Sequence, residues 1–389
     1  MKTRALTLAL LALAFTLSAF CAPAKPIVCA YVFSRGAALT PGQVDGSRLT
    51  RINYAFANID QGRIVEGSPL TAGNLAVLTA LRHDNPGLTV LISVGGWLWS
   101  GGFSDMALTQ ASRATFIDSV EQFITRYDLD GLDVDWEFPN QPGVGHVFRP
   151  EDKHNYTLLL KELRARFDKM QKKQHRHLYL TVATGASTDF LENTEMGEVQ
   201  KYVDAVNLMA YDYYEPTDSA ITGNHAPLFA DPADPRALSI DRSVREYEQA
   251  GVPASKLVLG VPFYGHVWGQ VPATNHGLFQ PGRRIPDVNA NYGAIISSML
   301  GQGYTRYWDD TSSVPYLYNP DKQIFVTYED PQSLALKCKF VLDHHLAGVM
   351  FWDYLGDPSG ALLNTINTAL NSPSAPPSSA HAAASSGKP

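Results

Sequence analysis

The sequence predicts an α/β fold, a parallel (β/α)8 TIM barrel with a small α+β insertion after strand seven. Short apolar segments rich in β-branched and aromatic residues alternate with longer amphipathic segments between Ile27 and about Leu370. Near-continuous apolar strands with long connections favour a closed barrel over an open sheet, and no nucleotide-binding glycine pattern follows any strand. The predicted strands are 27–33, 51–57, 88–94, 131–137, 178–184, 204–211, 257–263 and 347–352.

Residues 264–333 interrupt this alternation within the catalytic domain, which we place at 25–370. The segment is rich in Tyr, Trp, Gly and Pro, contains short extended pieces, and is longer than a normal βα connection. We therefore predict an inserted α+β subdomain. Because active sites of such barrels lie at the carboxyl ends of the strands, the insertion would form one wall of the site.

The amino-terminal residues have the pattern of a secretory signal peptide. A short basic start precedes an apolar stretch from Ala5 to Phe20, and Ala22-Pro-Ala24 matches a cleavage site. The apolar stretch is shorter than the roughly 20 residues that span a membrane. We predict a signal peptide at 1–24, secretion, and no membrane attachment after cleavage. Lipidation of Cys21 is the alternative, which the bulky residue before it disfavours.

The composition describes a globular protein with a large core. Of 389 residues, 45% are hydrophobic and 18% charged, and the net charge of -7 argues against nucleic-acid binding. The tail 371–389 is Ser, Ala and Pro with few large apolar residues, so we predict disorder there. Cys29 and Cys338 would remain after signal cleavage, either as small buried residues or as a single bridge, and they have no metal-site spacing.

The segment Asp130–Glu137 contains the most informative motif in the chain. Asp133, Asp135 and Glu137 recur at every second position, so on a strand they share one face, while apolar side chains occupy the other. Crowded carboxylates raise at least one pKa, which keeps a carboxylic acid protonated near neutral pH. The pattern indicates a catalytic site, and the alternatives are a solvated strand face or a structural cation site.

Aromatic residues lie at or just after the carboxyl ends of the predicted third, sixth and eighth strands, beside these acids. They include Trp97, Tyr211 and Trp352. Sugar rings stack on aromatic faces, so an acid cluster with aromatic walls favours carbohydrate cleavage over phosphoryl or acyl transfer. The pair Gly95-Gly96 fits either a simple turn or a close backbone approach to the site.

The motif Asp130-Gly-x-Asp133-x-Asp135-x-Glu137 resembles the signature of glycoside hydrolase family 18, the chitinase family. The resemblance covers about residues 26–370, and one branch of the family has a similar α+β insertion. The further similar segments are Ile52–Phe56, Ser93–Gly96, Met209–Asp212, Gly251–Gly265 and Gly348–Trp352. One departure is His266, which stands where the family often has an Arg after the seventh strand.

The resemblance implies substrate-assisted catalysis, in which the acetamido oxygen of the sugar is the nucleophile. Glu137 would be the general acid, Asp135 would hold the acetamido N–H, and Asp133 would influence Asp135 from behind. Tyr211 would hydrogen-bond the acetamido group. The implied substrate-binding residues are Trp97, Asp212, Met209, Trp352, Tyr264 and Phe56.

The function that the resemblance implies is a secreted, retaining chitinase that cleaves β-1,4 bonds of chitin and N-acetylglucosamine oligosaccharides. The alternatives are an endo-β-N-acetylglucosaminidase that acts on N-glycans and a chitin-binding lectin on an inactive scaffold. The presence of Glu137 argues against the lectin. We expect a monomer that requires no cofactor and no metal ion.

Overall fold

The computed structural model describes residues 25–371. The predicted signal peptide, and residues 372–389 of the predicted tail, lie outside the described residues. Within 25–371, no helix is both long enough and apolar enough to cross a membrane.

The described chain alternates strands and helices. The strands are β1 (Ile27–Phe33), β2 (Arg51–Asp60), β3 (Arg63–Glu66), β4 (Thr89–Gly95), β5 (Gly131–Asp135), β6 (Tyr179–Gly185), β7 (Ala205–Met209), β8 (Leu257–Pro262), β9 (His266–Gly269), β10 (Arg283–Arg284), β11 (Thr305–Asp309), β12 (Val314–Asn319), β13 (Ile324–Thr327) and β14 (Gly348–Trp352). The α-helices are α1 (Thr71–Ala80), α2 (Phe103–Ala107), α3 (Gln110–Arg126), α4 (Asp152–Gln174), α5 (Thr188–Glu192), α6 (Met196–Val199), α7 (Ile240–Gln249), α8 (Tyr292–Ser298), α9 (Pro331–Asp343) and α10 (Ala361–Asn371). The 3-10 helices are Gly46–Arg48, Leu81–His83, Ser100–Gly102, Ala254–Lys256, Thr274–Gly277 and Tyr354–Gly356.

Eight parallel strands close into a barrel, which confirms the predicted fold class. The order is β1, β2, β4, β5, β6, β7, β8 and β14, and β14 pairs with β1 to complete the ring. An extra strand, β3, turns back antiparallel onto β2 and was not predicted. The turn uses Gln61 and Gly62, both with positive φ, which is the backbone that a tight hairpin requires.

Two predicted strands end two residues earlier than the sequence pattern indicated. The strand predicted at 131–137 ends at Asp135, and the strand predicted at 204–211 ends at Met209. The pairing of β5 with β6 stops at Val134, and that of β7 with β8 stops at Leu208, so no ladder holds the following residues. The predicted site residues beyond these points are therefore carried by loops at the mouth of the barrel.

The segment between β8 and β14 forms a second sheet, as predicted. Its strands are antiparallel in the order β10, β9, β13, β12 and β11, and α8 lies between β10 and β11 in the chain. Trp268, Tyr318 and Phe325 form its small core, to which Tyr214 from the loop after β7 also belongs. The insertion thus packs against a loop at the mouth of the barrel.

The apolar face of β5 packs outward, as the alternating pattern predicted. Leu132, Val134 and Trp136 are all buried. The Trp136 ring stacks on Phe103 at a centroid distance of 5.0 Å, and Tyr156 of α4 meets its edge at 5.9 Å. The acids of this segment consequently face the inside and the mouth of the barrel.

The two cysteines of the described chain are both buried and free. The bridge between Cys29 and Cys338 that the sequence left open is therefore not formed. Burial raises the pKa of each thiol to about 12, so both stay protonated and unreactive near neutral pH.

Candidate active site

Asp133 lies at the base of the site, where four side chains donate hydrogen bonds to it. The hydroxyls of Tyr31 and Ser93 donate to Oδ2 over 2.8 Å, and Thr181 and Asn207 donate to Oδ1. Burial raises the pKa of Asp133, and the three hydroxyl donors counteract part of that rise. With four donors already on its two oxygens, Asp133 is a poor ligand for a structural cation.

Asp135 and Glu137 have fewer hydrogen-bond partners than Asp133, and the pKa of each is strongly raised. Burial, followed by the charges of Glu137 and Asp133, raises the pKa of Asp135 well above its usual range. Burial and the charge of Asp212 raise the pKa of Glu137 to about 8, although a backbone hydrogen bond from Trp97 opposes the rise. Glu137 is therefore a protonated acid at neutral pH. Asp135 Oδ1 has no hydrogen-bond partner within residues 25–371.

The loop after β4 fits tightly against the end of β5. Gly95 and Gly96 have φ values of +107° and +83°, and the Gly96 N–H donates to the carbonyl of Asp135 over 2.8 Å. A Cβ at Gly95 would lie 2.1 Å from that same oxygen, so both readings of the glycine pair, turn and close approach, apply. Ser100 Oγ donates to the Asp135 carbonyl over 3.1 Å and accepts from the Glu137 N–H over 2.9 Å. This loop fixes the backbone that carries the general acid candidate.

Aromatic rings form the floor and one side of the site. Trp352, at the end of β14, stacks on Phe56 at 5.5 Å and on Phe33 at 5.7 Å. Trp99 packs against Phe56 at 5.7 Å, while Trp97 is 49% exposed at the rim. The rings provide an apolar surface next to the carboxylates, which suits the face of a sugar ring.

Asp212 lies on another side of the cleft and is surrounded by donors. The Tyr264 hydroxyl lies 2.7 Å from both of its oxygens, His266 Nε2 lies 2.7 Å from Oδ1, and His225 Nδ1 lies 3.3 Å from Oδ1. Burial alone would raise the pKa of Asp212, but hydrogen bonds and charge from the two histidines lower it below its usual range. Asp212 therefore remains an anion beside the protonated Glu137.

Tyr211 and Met209 complete the cleft beneath Asp212. Burial, together with the surrounding carboxylates, raises the pKa of Tyr211 well above its usual range, so its hydroxyl remains a proton donor. Gly260 of β8 allows the Tyr211 ring to lie close, because a Cβ there would come within 3.0 Å of the ring. The whole cleft has a volume of about 890 Å³. This volume is in the range of pockets that hold organic ligands, and it is much larger than a single small ion needs.

The structure brings the predicted site residues together. Asp133 lies below the surface, and the others line the cleft: Phe56, Trp97, Asp135, Glu137, Met209, Tyr211, Asp212, Tyr264 and Trp352. Their functional roles stay predictions, because position alone does not assign them.

Sequence reasoning missed several residues of the site. Phe33 and Trp99 line the cleft, and both had a signal, since Phe33 ends the predicted first strand and Trp99 follows Trp97 closely. His225 and Ser100 had no comparable signal. They lie in loops whose course depends on tertiary contacts that no local pattern encodes.

The family model described as glycosyl hydrolases family 18 matches residues 28–357. The chain belongs to this family. Both the resemblance and the predicted glycoside hydrolase class are thereby confirmed.

The chain is similar to several proteins that are named as chitinases or as an N-acetylglucosaminidase. It is 35% identical to Chitinase A1 of Niallia circulans over 394 aligned positions, which cover 84% of this chain but only 55% of the relative. A family 18 N-acetylglucosaminidase from Paenibacillus barengoltzii is 38% identical with a TM-score of 0.81, covering 88% of this chain and 99% of its own. A mutant class V chitinase from Nicotiana tobaccum in complex with NAG4 is 28% identical with a TM-score of 0.81, covering 90% and 99%.

Proposed function

We propose that this protein hydrolyses β-1,4 bonds between N-acetylglucosamine units of chitin and its oligosaccharides, by a retaining, substrate-assisted mechanism. The observation that carries the proposal is the pair Asp135 and Glu137, both with raised pKa, at the edge of an aromatic floor built on Trp352. The chitinase and N-acetylglucosaminidase names of the relatives agree with this substrate class.

Glu137 would act first as the general acid. Its proton would pass to the glycosidic oxygen as that bond breaks, while the acetamido oxygen of the same substrate forms a bond to the anomeric carbon. The resulting oxazolinium is positively charged, and Asp135 lies where its unpartnered Oδ1 could accept the acetamido N–H. Glu137, now ionised, would then take a proton from the water that opens the ring, and two displacements retain the configuration.

The remaining side chains would position the sugar. Trp352 and the rings beside it offer a stacking surface, and Tyr211 can donate to the acetamido group because its phenol stays protonated. Asp212, held as an anion by its three donors, can accept hydrogen bonds from sugar hydroxyls. Phe56 and Trp97 would contact neighbouring parts of the oligosaccharide.

Export and oligomeric state belong to the same proposal. We propose that residues 1–24 direct secretion, because polymeric chitin must be degraded outside the cell, and that the mature protein acts as a monomer. Mass spectrometry of the protein from culture medium would test both the cleavage site after Ala24 and the mass of the particle in solution. Retention in the cell with an uncleaved amino terminus would contradict the secretion proposal.

Product analysis tests the activity. The purified protein is incubated with the N-acetylglucosamine hexamer and, separately, with an N-glycosylated protein, beside the Glu137→Gln variant. Release of dimers and trimers by the wild-type protein alone supports a chitinase, and release of monomers alone would indicate an N-acetylglucosaminidase mode. Cleavage of the glycoprotein with an untouched hexamer would move the function to N-glycans. Binding without cleavage of either substrate would indicate a lectin.

A further inference from the structure

Three possible metal ligands from different parts of the chain meet at one side of the cleft. Asp212 follows β7, His225 lies in the long loop before α7, and His266 begins β9 of the insertion. The ligand atoms that they offer all lie within 4.8 Å of one another. Among residues 25–371, this is the one group of three or more His, Cys, Asp and Glu side chains arranged in this way.

The spacing of these atoms is compatible with one ion. His266 Nε2 and His225 Nδ1 lie 2.7 and 3.3 Å from Asp212 Oδ1. Bonds of about 2.0–2.2 Å in a tetrahedral zinc site place the ligand atoms about 3.3 Å apart. Small side-chain rotations would therefore bring the three atoms around a common centre. Each neutral imidazole can turn an unprotonated nitrogen to the ion while it keeps a proton on the other nitrogen.

The donor set indicates which ions fit. Two imidazole nitrogens and one carboxylate oxygen suit zinc and copper, whereas magnesium and calcium prefer sites built from oxygen atoms. The Tyr264 hydroxyl contacts both oxygens of Asp212 and would orient the carboxylate from outside the ligand shell. Lys337 in turn donates to the carbonyl of Ala226, which holds the residue next to His225 in place.

The site is open to solvent on its cleft side. The Asp212 side chain is 36% exposed and that of His266 is 15% exposed, although His225 is fully buried. Asp135 and Glu137 line the same cleft. An ion can therefore enter through the opening that an oligosaccharide would use, and it would occupy the carboxylate that we assign to sugar binding.

We propose that Asp212, His225 and His266 bind a zinc-class divalent transition-metal ion that blocks the cleft and inhibits hydrolysis. The inhibition rests on the proposed function, but ion binding does not. The ion is an inhibitor that competes with substrate, and the hydrolytic mechanism does not use it. A chain with an Arg at position 266 would lack one of the three ligands.

Calorimetric titration of the tag-free, chelator-treated protein with zinc chloride tests the binding. We expect one zinc ion per chain and no comparable heat from magnesium chloride. His266→Arg removes a ligand but leaves a cation next to Asp212, so zinc affinity should fall by more than the ~10–100-fold typical of losing an outer-shell partner. The matched control is His177→Gln, because His177 also pairs with one carboxylate, Asp204, at 2.8 Å outside the cleft. It should bind zinc like the wild-type protein.

Two results would overturn the proposal. One is the absence of saturable zinc binding by the wild-type protein, and the other is unchanged affinity in a folded His266→Arg variant, since the ion would then be held elsewhere. Visible spectroscopy with cobalt(II) on the unaltered protein makes the test independent of any variant, because a tetrahedral nitrogen- and oxygen-ligated ion has strong ligand-field bands. Weak bands, which are typical of octahedral cobalt(II), would count against the site. With an active enzyme, zinc should raise KM for the hexamer and leave kcat unchanged. If the protein proves inactive, the binding results still decide whether the site exists.

Discussion

Glu137 and Asp212 are carboxylates of one cleft, yet their surroundings move their pKa values in opposite directions. Burial and the negative charge of Asp212 raise the pKa of Glu137 to about 8, because the single backbone hydrogen bond that lowers it is too weak to cancel them. Asp212 receives hydrogen bonds from Tyr264 and two histidines, and its pKa falls. The difference shows that donors, rather than residue type or depth alone, decide which acid keeps its proton.

The two acids are also coupled to each other. The charge that the histidines and Tyr264 stabilise on Asp212 is one cause of the raised pKa of Glu137. An acid that must donate a proton near neutral pH is thus kept protonated partly by a neighbour that stays ionised.

The largest effect is expected from Glu137→Gln. The amide keeps the shape of the side chain but has no acidic proton, so kcat should fall by at least the roughly 10²–10⁴-fold typical of losing a general acid. Oligosaccharide binding should persist, and calorimetry with the hexamer would measure it. A variant with wild-type turnover would remove Glu137 from the mechanism.

A second large effect, on the free energy of unfolding, is expected at the buried ion pair next to the His225 segment. Lys337 is fully buried, forms an ion pair with the buried Glu329, and donates to the Ala226 carbonyl. Lys337→Met leaves the Glu329 carboxylate without its partner, so the free energy of unfolding should fall by about 3–5 kcal/mol. Chemical denaturation measures the loss.

The matched control for that change is Lys201→Met, which breaks an exposed pair with Glu198. Solvent screens a pair on the surface, so the unfolding midpoint of this variant should move little. Equal losses of unfolding free energy in both variants would show that the buried pair stabilises the protein no more than the exposed pair does.

Asp135→Asn should lower kcat by about 10²–10³-fold, the loss typical of removing one group that stabilises charge in the transition state. Asp135 must lose its raised-pKa proton to balance the positive oxazolinium, and the amide cannot ionise in this way, although it can still contact the acetamido group. KM should change far less than kcat. A rise in KM at constant kcat would show that Asp135 binds the substrate without stabilising the intermediate.

The smallest effect is a displaced pH profile in Asp212→Asn, measured as kcat/KM with a chelator present. Wild-type activity should fall as the pH rises through the pKa of Glu137, because the general acid must be protonated. Loss of the Asp212 charge lowers that pKa, so the basic limb should move to lower pH. Glu215→Gln removes another acid from the cleft and should leave the limb in place. An unchanged or upward-shifted limb in Asp212→Asn would contradict the coupling.

Much of the fold and the centre of the site could be predicted because they follow local periodicities. Side chains alternate with a period of two in β5, which assigned Asp133 and Asp135 to one face and their apolar neighbours to the other. The series of predicted strands indicated the barrel. The end of β5 before Glu137 was not predictable, because it depends on where pairing with β6 stops. His225 is 13 positions from Asp212 in the chain, and only the folded loop brings the two together.

The proposed mechanism depends on a Glu137 that is protonated at neutral pH beside an ionised Asp212. Carbon NMR of protein labelled at the glutamate side-chain carboxyl measures this directly, with Glu137→Gln identifying the signal. We expect this carboxyl to titrate near pH 8. Titration near the usual glutamate value of about 4.3 would contradict it, because the proposed general acid would then be ionised when it has to donate its proton.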